Sequence, residues 1–287
     1  MSRVAYVNGR YTALAQAAVH IEDRGYQLAD GVYEVWSVMD GKMADAEGHF
    51  VRLDRSLSEL SITPPMDRRA LTVILREVVR RNRVREGLLY LQITRGVARR
   101  DHAFPAADTP PAMVVTCRSL DRRAAEARAA VGVEAISVPE SRWARCDIKS
   151  ISLLPNVLAK QAAKVRGAYE TFFVDEMGLV TEGAASNVWI VDQDGVLRTR
   201  DTQANILRGI TRTTLMSVIA EAKLKVEERA FTVDEARNAK EAFVTGAGAL
   251  VMPIVRLDGR DIGDGKPGPM AKALRKSYIR KARDTAY

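Results

Sequence analysis

The chain has 287 residues, 47% apolar and 28% charged, an ordinary globular composition that excludes disorder and fibrous repeats and fits one large domain or two modest ones. Lys and Arg outnumber Asp and Glu by 44 to 36, which raises nucleic acid or an anionic substrate as a partner. Two cysteines, Cys117 and Cys146, are too few for a disulfide framework, and the longest apolar run, residues 246–255, holds Pro253 and falls short of the ~20 residues that span a bilayer.

In chain order, Asn8-Gly9 between two apolar runs predicts a hairpin, and Asp40-Gly41 predicts a second between residues 32–39 and 42–44. Residues 1–23 carry Arg3, Arg10, Glu22 and Asp23 without a signal-type apolar core, so a cytoplasmic location is expected. Phe50, Leu53, Leu57 and Leu60 share one face of a predicted helix; Leu71, Ile74, Leu75, Val78 and Val79 share one face of the next. Strands follow at residues 88–94 and 112–117, giving the first half an α+β character. Residues 119–130 are a compositional break, placing a domain boundary near Asp121 and two domains at 1–120 and 121–287, although the break also reads as a short helix.

The second half alternates strand and helix: strand 131–138, helix 156–165, strands 170–174 and 188–191, and a hairpin at Asp194-Gly195. Helix 211–222 and strand 226–229 come next, then a capping box at Thr232 and Glu235. Strand 241–245 runs into Gly246-Ala247-Gly248, and a basic helix closes the chain. The charge excess lies in residues 67–86, net +4, and 266–287, net +6, while the remainder is slightly acidic. Both segments read as solvated helix faces, without the aromatic platform or module expected of a nucleic-acid binder. His20, His49 and His102 stand far apart with no ligand spacing, so no metal site is expected.

Three features bear on chemistry. Lys149 lies in CDIKSISLL, residues 146–154, where a buried strand would desolvate it and make it a Schiff-base nucleophile; a snorkelling strand lysine is the plainer alternative. Glu182, in TEGAASN at 181–187, is a carboxylate among small residues between two apolar strands, either a turn or an acceptor for a cationic ring nitrogen. Gly209-Ile210-Thr211 at a helix start and Gly246-Ala247-Gly248 after a strand could cradle a phosphate or be simple turns. An amine, a carboxylate and phosphate cradles together are the parts that hold pyridoxal phosphate.

The sequence resembles the fold-type IV pyridoxal-phosphate enzymes, and among them most closely the D-amino-acid aminotransferases. The blocks that carry the likeness are EDRGYQLADGVYE at 22–34, HFVRLDR at 49–55, TRGVARRDHAFP at 94–105, DIKS at 147–150, TEG with Ser186-Asn187, and GITR at 209–212. The resemblance implies a smaller N-terminal α/β domain and a larger C-terminal pseudo-barrel domain with pyridoxal 5'-phosphate between them. It implies that Lys149 forms the Schiff base and shuttles the proton, that Glu182 pairs with the ring nitrogen, and that Arg52 binds the phosphate with Ile210 and Thr211. Ser186, Asn187, Gly246 and Ala247 fall at its remaining cofactor positions. It further implies a trap for the substrate α-carboxylate made of Tyr33, Arg100 and His102, with Tyr90 on the same wall, and a homodimer sharing that trap. The implied reaction passes the amino group between a D-amino acid, such as D-alanine or D-glutamate, and 2-oxoglutarate or pyruvate. Branched-chain aminotransferase, R-selective amine transaminase and aminodeoxychorismate lyase are alternatives on the same fold; an anionic-surface or nucleic-acid binder is one of a different class. The sequence departs from the pattern at Ala184, Ala185 and Ala247, where hydroxyls are expected.

Overall fold

A computed structural model describes residues 3–203 and 206–287. The chain divides into two compact units. The first holds the chain up to Asp121 together with Ile148–Ser152 and Thr285–Tyr287; the second holds Arg122–Asp147 and Leu153–Asp284. A cut at 120/121 is therefore corrected at one functionally weighty place: the segment bearing Lys149 belongs to the first unit.

The first unit contains strands β1 (Val4–Val7) and β2 (Arg10–Ala13), the short helix α1 (Arg24–Leu28), strands β3 (Gly31–Met39) and β4 (Lys42–Met43), helices α2 (Ala46–Glu59) and α3 (Arg68–Asn82), and strands β5 (Gly87–Thr94) and β6 (Ala112–Ser119). Among the described residues they build a six-stranded antiparallel sheet in the order β2-β1-β6-β5-β3-β4. Both expected hairpins form, with Asn8 and Gly9 at φ 43° and 92° and Asp40 and Gly41 at 51° and 80°, the left-handed pair that suits the twist of a two-residue hairpin. Alternation along β3 and β5 then sorts the side chains. Val32, Glu34, Trp36, Leu89, Leu91 and Ile93 go into the buried layer, with Phe50, Leu53 and Leu57 of α2 and Leu75 of α3 in the same core. Tyr33, Tyr90 and Gln92 point to the other face.

The second unit runs α4 (Arg122–Val131), β7 (Val133–Pro139), α5 (Leu154–Val165), β8 (Glu170–Val174), β9 (Val180–Gly183), β10 (Asn187–Val191), β11 (Leu197–Thr199), α6 (Ile210–Glu221), β12 (Val226–Glu228), α7 (Val233–Arg237), β13 (Glu241–Gly246), β14 (Leu250–Leu257), β15 (Arg260–Asp261) and α8 (Pro269–Asp284). Its mixed, curled sheet has the order β12-β11-β10-β13-β14-β7-β8-β9, with β15 on β14. The compositional break after residue 119 is the helix α4. Thr232 and Glu235 close the expected capping box at α7.

Two local expectations are corrected, and one run without an assignment is a strand. Residues 146–149 form no strand; Ser150 makes a single bridge to Val32. Glu182 stands on a strand, β9, rather than in a turn. The run after Gly248 is the strand β14, paired to β13 and β7 although Pro253 sits opposite Phe243; the pairing with β7 is irregular between Ile254 and Arg256. A proline inside a run argues against a central strand because it removes one ladder donor, and here the strand absorbs it.

The basic helices are more than solvated faces. In α3, Glu77 accepts from Arg80 and Arg81, and Arg81 lies over the ring of Tyr11. In α8, Arg275 is buried, pairs with Glu126 and donates to the Val251 carbonyl. No helix among the described residues is long and apolar enough to cross a membrane.

Candidate active site

In the first unit the candidate residues gather around Lys149. Tyr33 N–H donates to the Lys149 carbonyl at 3.0 Å, Ile151 N–H donates to the Gly31 carbonyl at 3.1 Å, and Lys149 N–H lies 3.4 Å from Ser56 Oγ. A Cβ added at Gly31 would stand 2.7 Å from the Ile93 carbonyl of β5 and 3.1 Å from the Ile151 side chain, so glycine is what lets β3 pack this closely here. These bonds hold the half-buried Lys149 with Nζ 4.1 Å from the centroid of the Tyr33 ring, a cation–π contact. Tyr33 and Tyr90 are diagonal neighbours on one sheet face, since Tyr33 pairs with Gln92, and their rings are 5.8 Å apart. Burial, with Tyr33 close by, pushes the Tyr90 phenol up to about 12, and its hydroxyl donates to Gln92 at 2.7 Å.

Arg52 lies on the helix-covered side. Its Nε and Nη2 clasp the two oxygens of the fully buried Glu34 at 2.7 and 2.8 Å, and His49 Nδ1 stands 2.7 Å from the same carboxylate. A ligand phosphate at Arg52 must therefore share the guanidinium with Glu34. Arg100 and His102 sit on an exposed loop after Gly96. The structure thus brings Lys149, Tyr33 and Tyr90 together, while among the described residues Arg100 and His102 make no hydrogen bond, ion pair or ring contact with them.

In the second unit, Glu182 is buried and its cation is a residue that sequence reasoning misses. Arg142 Nη1 donates to Glu182 Oε1 at 2.5 Å, while its Nε and Nη2 take Glu140 at 2.9 and 2.6 Å. Burial works against the Arg142 charge, but the two carboxylates outweigh it and raise its pKa. Asn187 Nδ2 donates to Glu182 Oε2 at 3.1 Å and to the Leu207 carbonyl at 2.9 Å, and Leu207 N–H donates to Glu182 Oε1 at 3.2 Å. The Ser186 hydroxyl is spent on Glu170 at 3.0 Å. Ser186 and Asn187 therefore serve carboxylates rather than presenting free polar ends. The signal available in sequence was chemical: a buried Glu182 needed a cation, and Arg142 lies in the same polar stretch that leads to Lys149.

Helix α6 starts at Ile210 with Gly209 as its N-cap and no side-chain capping bond. The first backbone N–H groups of a helix have no intrahelical acceptor, so the buried Ile210 and Thr211 offer donors suited to a phosphate. Gly246 ends β13 and Ala247 begins the following turn; a Cβ at Gly246 would stand 2.9 Å from the Ala185 carbonyl.

The model of the family described as amino-transferase class IV matches residues 31–257. The chain belongs to that family. This class IV amino-transferase is 41% identical to a D-alanine aminotransferase of Bacillus licheniformis over 97% of its own length and 98% of the relative's. Its fold is that of the branched-chain amino acid aminotransferase of Escherichia coli, TM-score 0.89 at 22% identity, covering 98% of this chain and 95% of that one. A second branched-chain amino acid aminotransferase, from T.th. and solved with pyridoxamine 5'-phosphate, is similar at TM-score 0.88 and 26% identity, covering 98% and 94%. The α+β character with a curled sheet is therefore that of the family's fold.

One prediction for this class IV amino-transferase concerns Gly209. A Cβ there would lie 2.1 Å from Asn187 Oδ1, so Gly209→Ala must displace Asn187 and release its bonds to Glu182 and Leu207. A stability loss of about 1–3 kcal/mol is expected by analogy with overpacking. Thermal unfolding and titration with pyridoxal phosphate should show lower Tm together with weaker binding; unchanged values for both would refute the role given to this contact.

Proposed function

We propose that the protein transfers the amino group of a D-amino acid, D-alanine or D-glutamate, to a 2-oxo acid, 2-oxoglutarate or pyruvate, using pyridoxal 5'-phosphate, as a cytoplasmic homodimer. The observation that carries this reading is the 41% identity, over 97% of the chain, to a D-alanine aminotransferase. The branched-chain enzymes share the fold at 22% and 26% identity, and the polar pair Arg100 and His102 suits a carboxylate better than an apolar side chain.

The donor set suits the cofactor. In the second unit an uncapped helix start at Gly209 and small residues at Gly246 and Ala247 suit a phosphate; in the first unit Arg52 offers a guanidinium suited to the same group. The buried Glu182 answers a ring N–H. When bound, pyridoxal phosphate supplies an aldehyde and an electron-withdrawing ring. Lys149 is the only amine among these residues, and it would hold and move the proton at the substrate Cα. Glu182, bonded by Arg142 and aimed by Asn187, would accept the ring N–H. Tyr33 and Tyr90, with Arg100 and His102 contributed by the partner subunit's copy of the loop, would orient the substrate through its carboxylate.

Purified enzyme supplied with D-alanine and 2-oxoglutarate should form pyruvate and glutamate, and L-leucine with the same acceptor should react far more slowly. Turnover of the L-acid alone would overturn the proposal. Pyruvate release from aminodeoxychorismate without any oxo acid would favour the lyase chemistry instead.

A further inference from the structure

The loop that carries Arg100 and His102 is exposed, with Phe104 at 63% exposure, yet its root is held by buried ions. Asp30 receives two guanidinium groups. Arg24 Nε donates to Oδ2 at 2.8 Å; Arg95 Nε donates to the same oxygen at 2.8 Å and Nη2 to Oδ1 at 3.0 Å. Arg24 and Arg95 are 3% and 8% exposed. One carboxylate thus fixes two buried cations, and each arginine reaches onward to backbone.

Arg24 Nη1 donates to the carbonyl of Asp101, the residue between Arg100 and His102, at 2.7 Å. Arg95 donates to the Ser61 and Leu60 carbonyls at 3.0 and 2.7 Å, and its guanidinium covers the Phe104 ring at 3.6 Å. The loop leaves β5 through Gly96, at φ 103°, where a Cβ would stand 2.0 Å from the Pro110 carbonyl. Arg24 N–H donates to the Gly96 carbonyl at 2.9 Å, and Asp23 bridges Val97. Within the loop, Ala103 N–H donates to Asp101 Oδ1 at 3.1 Å. The backbone is therefore pinned on both sides of the two residues whose side chains stand out into solvent.

We propose that Asp30, Arg24 and Arg95 are positioning residues for substrate recognition: a buried clamp that fixes the backbone at Asp101 and so holds Arg100 and His102 ready for a carboxylate. The inference rests on the reading of Arg100 and His102 as the carboxylate-binding pair. A loop ordered beforehand loses less freedom on binding than one ordered by each substrate, so the clamp acts on affinity more than on chemistry. Arg24 and Arg95 touch neither Lys149 nor Tyr33 in the contacts described, which separates their role from proton transfer.

The test uses the full-length holoenzyme with Arg24→Met, and with Arg24→Lys should the first variant fail to fold. Lysine keeps a cation for Asp30 but lacks the fork that serves Asp30 and Asp101 at once. Without substrate, amide hydrogen exchange across residues 97–104 should speed up by about tenfold or more, as local opening becomes easier. The KM for D-alanine should rise by about tenfold while kcat stays within about threefold, the pattern of lost ground-state binding. Unchanged exchange in a folded variant overturns the clamp. A fall in kcat with KM unmoved overturns its role in recognition. Arg100→Ala measured beside them separates the two layers: an unaltered KM for D-alanine there overturns the carboxylate reading, whatever the exchange data show.

Discussion

On the proposed reading, Lys149→Ala is expected to remove at least about 10³-fold of D-alanine transamination, at the upper part of the range for losing a positioned acid–base group, together with the visible absorbance that a lysine-linked cofactor would give. The lysine's backbone is tied to β3 through Tyr33 N–H and Ser150 and approaches Ser56, so the segment should keep its place without the side chain. The main packing lost is the contact with Tyr33, a cation–π pair worth about 0.5–1 kcal/mol at a half-exposed site. Tm should therefore fall by only a few degrees while activity disappears. Pyruvate formation, the visible spectrum and thermal unfolding of one preparation decide the matter. Turnover above a few per cent of the parent would mean that another amine does the work.

The sequence made local features legible where a short stretch carries its own reason. Asn8-Gly9 and Asp40-Gly41 form hairpins because the left-handed φ they need is cheap for those residues, and Thr232 with Glu235 forms its box within four residues. Elements defined by distant partners were hidden. Glu182 on β9 is a strand residue because Phe172 pairs with Gly183 across the sheet, and Pro253 lies in a strand because its neighbours pair with β13 on one side and β7 on the other. The site behaves the same way. Lys149, Tyr33 and Tyr90 could be chosen as residue types in recognisable blocks, yet their meeting depends on a crossing of residues 148–152 onto β3 that no local pattern announces. Arg142 and the clamp on Asp30 were missed for that reason. An arginine is common on surfaces, and Arg142 and Arg95 take their value here from carboxylates 40 and 65 residues away.

Glu34→Gln is expected to cost about 3–5 kcal/mol, since it removes the buried carboxylate charge that Arg52 clasps through Nε and Nη2, and at ~2–4 °C per kcal/mol Tm should drop by roughly 10 °C. Glu34 is fully buried. Burial alone would raise its pKa, but Arg52 and His49 outweigh that and hold it at about 2, against an ordinary 4.5. The unfolded chain therefore binds the proton first, and the carboxylate's contribution, on the order of 3 kcal/mol, is complete above pH 4.5 and lost as the pH falls toward 2. His49 adds in the same direction. Burial and the Arg52 charge lower its pKa below 6.5 despite Glu34, so stability also declines as pH falls below 6.5. Glu34→Gln should abolish the acid limb assigned to Glu34, leaving its own Tm less sensitive between pH 5 and 3 than the parent's. Equal Tm for variant and parent at pH 7 would refute the buried-pair account. Glu34→Leu combined with Arg52→Met should recover much of the loss, because replacing both ions with apolar groups removes the stranded charge. Cofactor affinity should not recover with it. If pyridoxal phosphate binds the double variant as tightly as the parent, Arg52 serves the fold alone; if stability returns while affinity stays low, the same guanidinium holds both Glu34 and the phosphate.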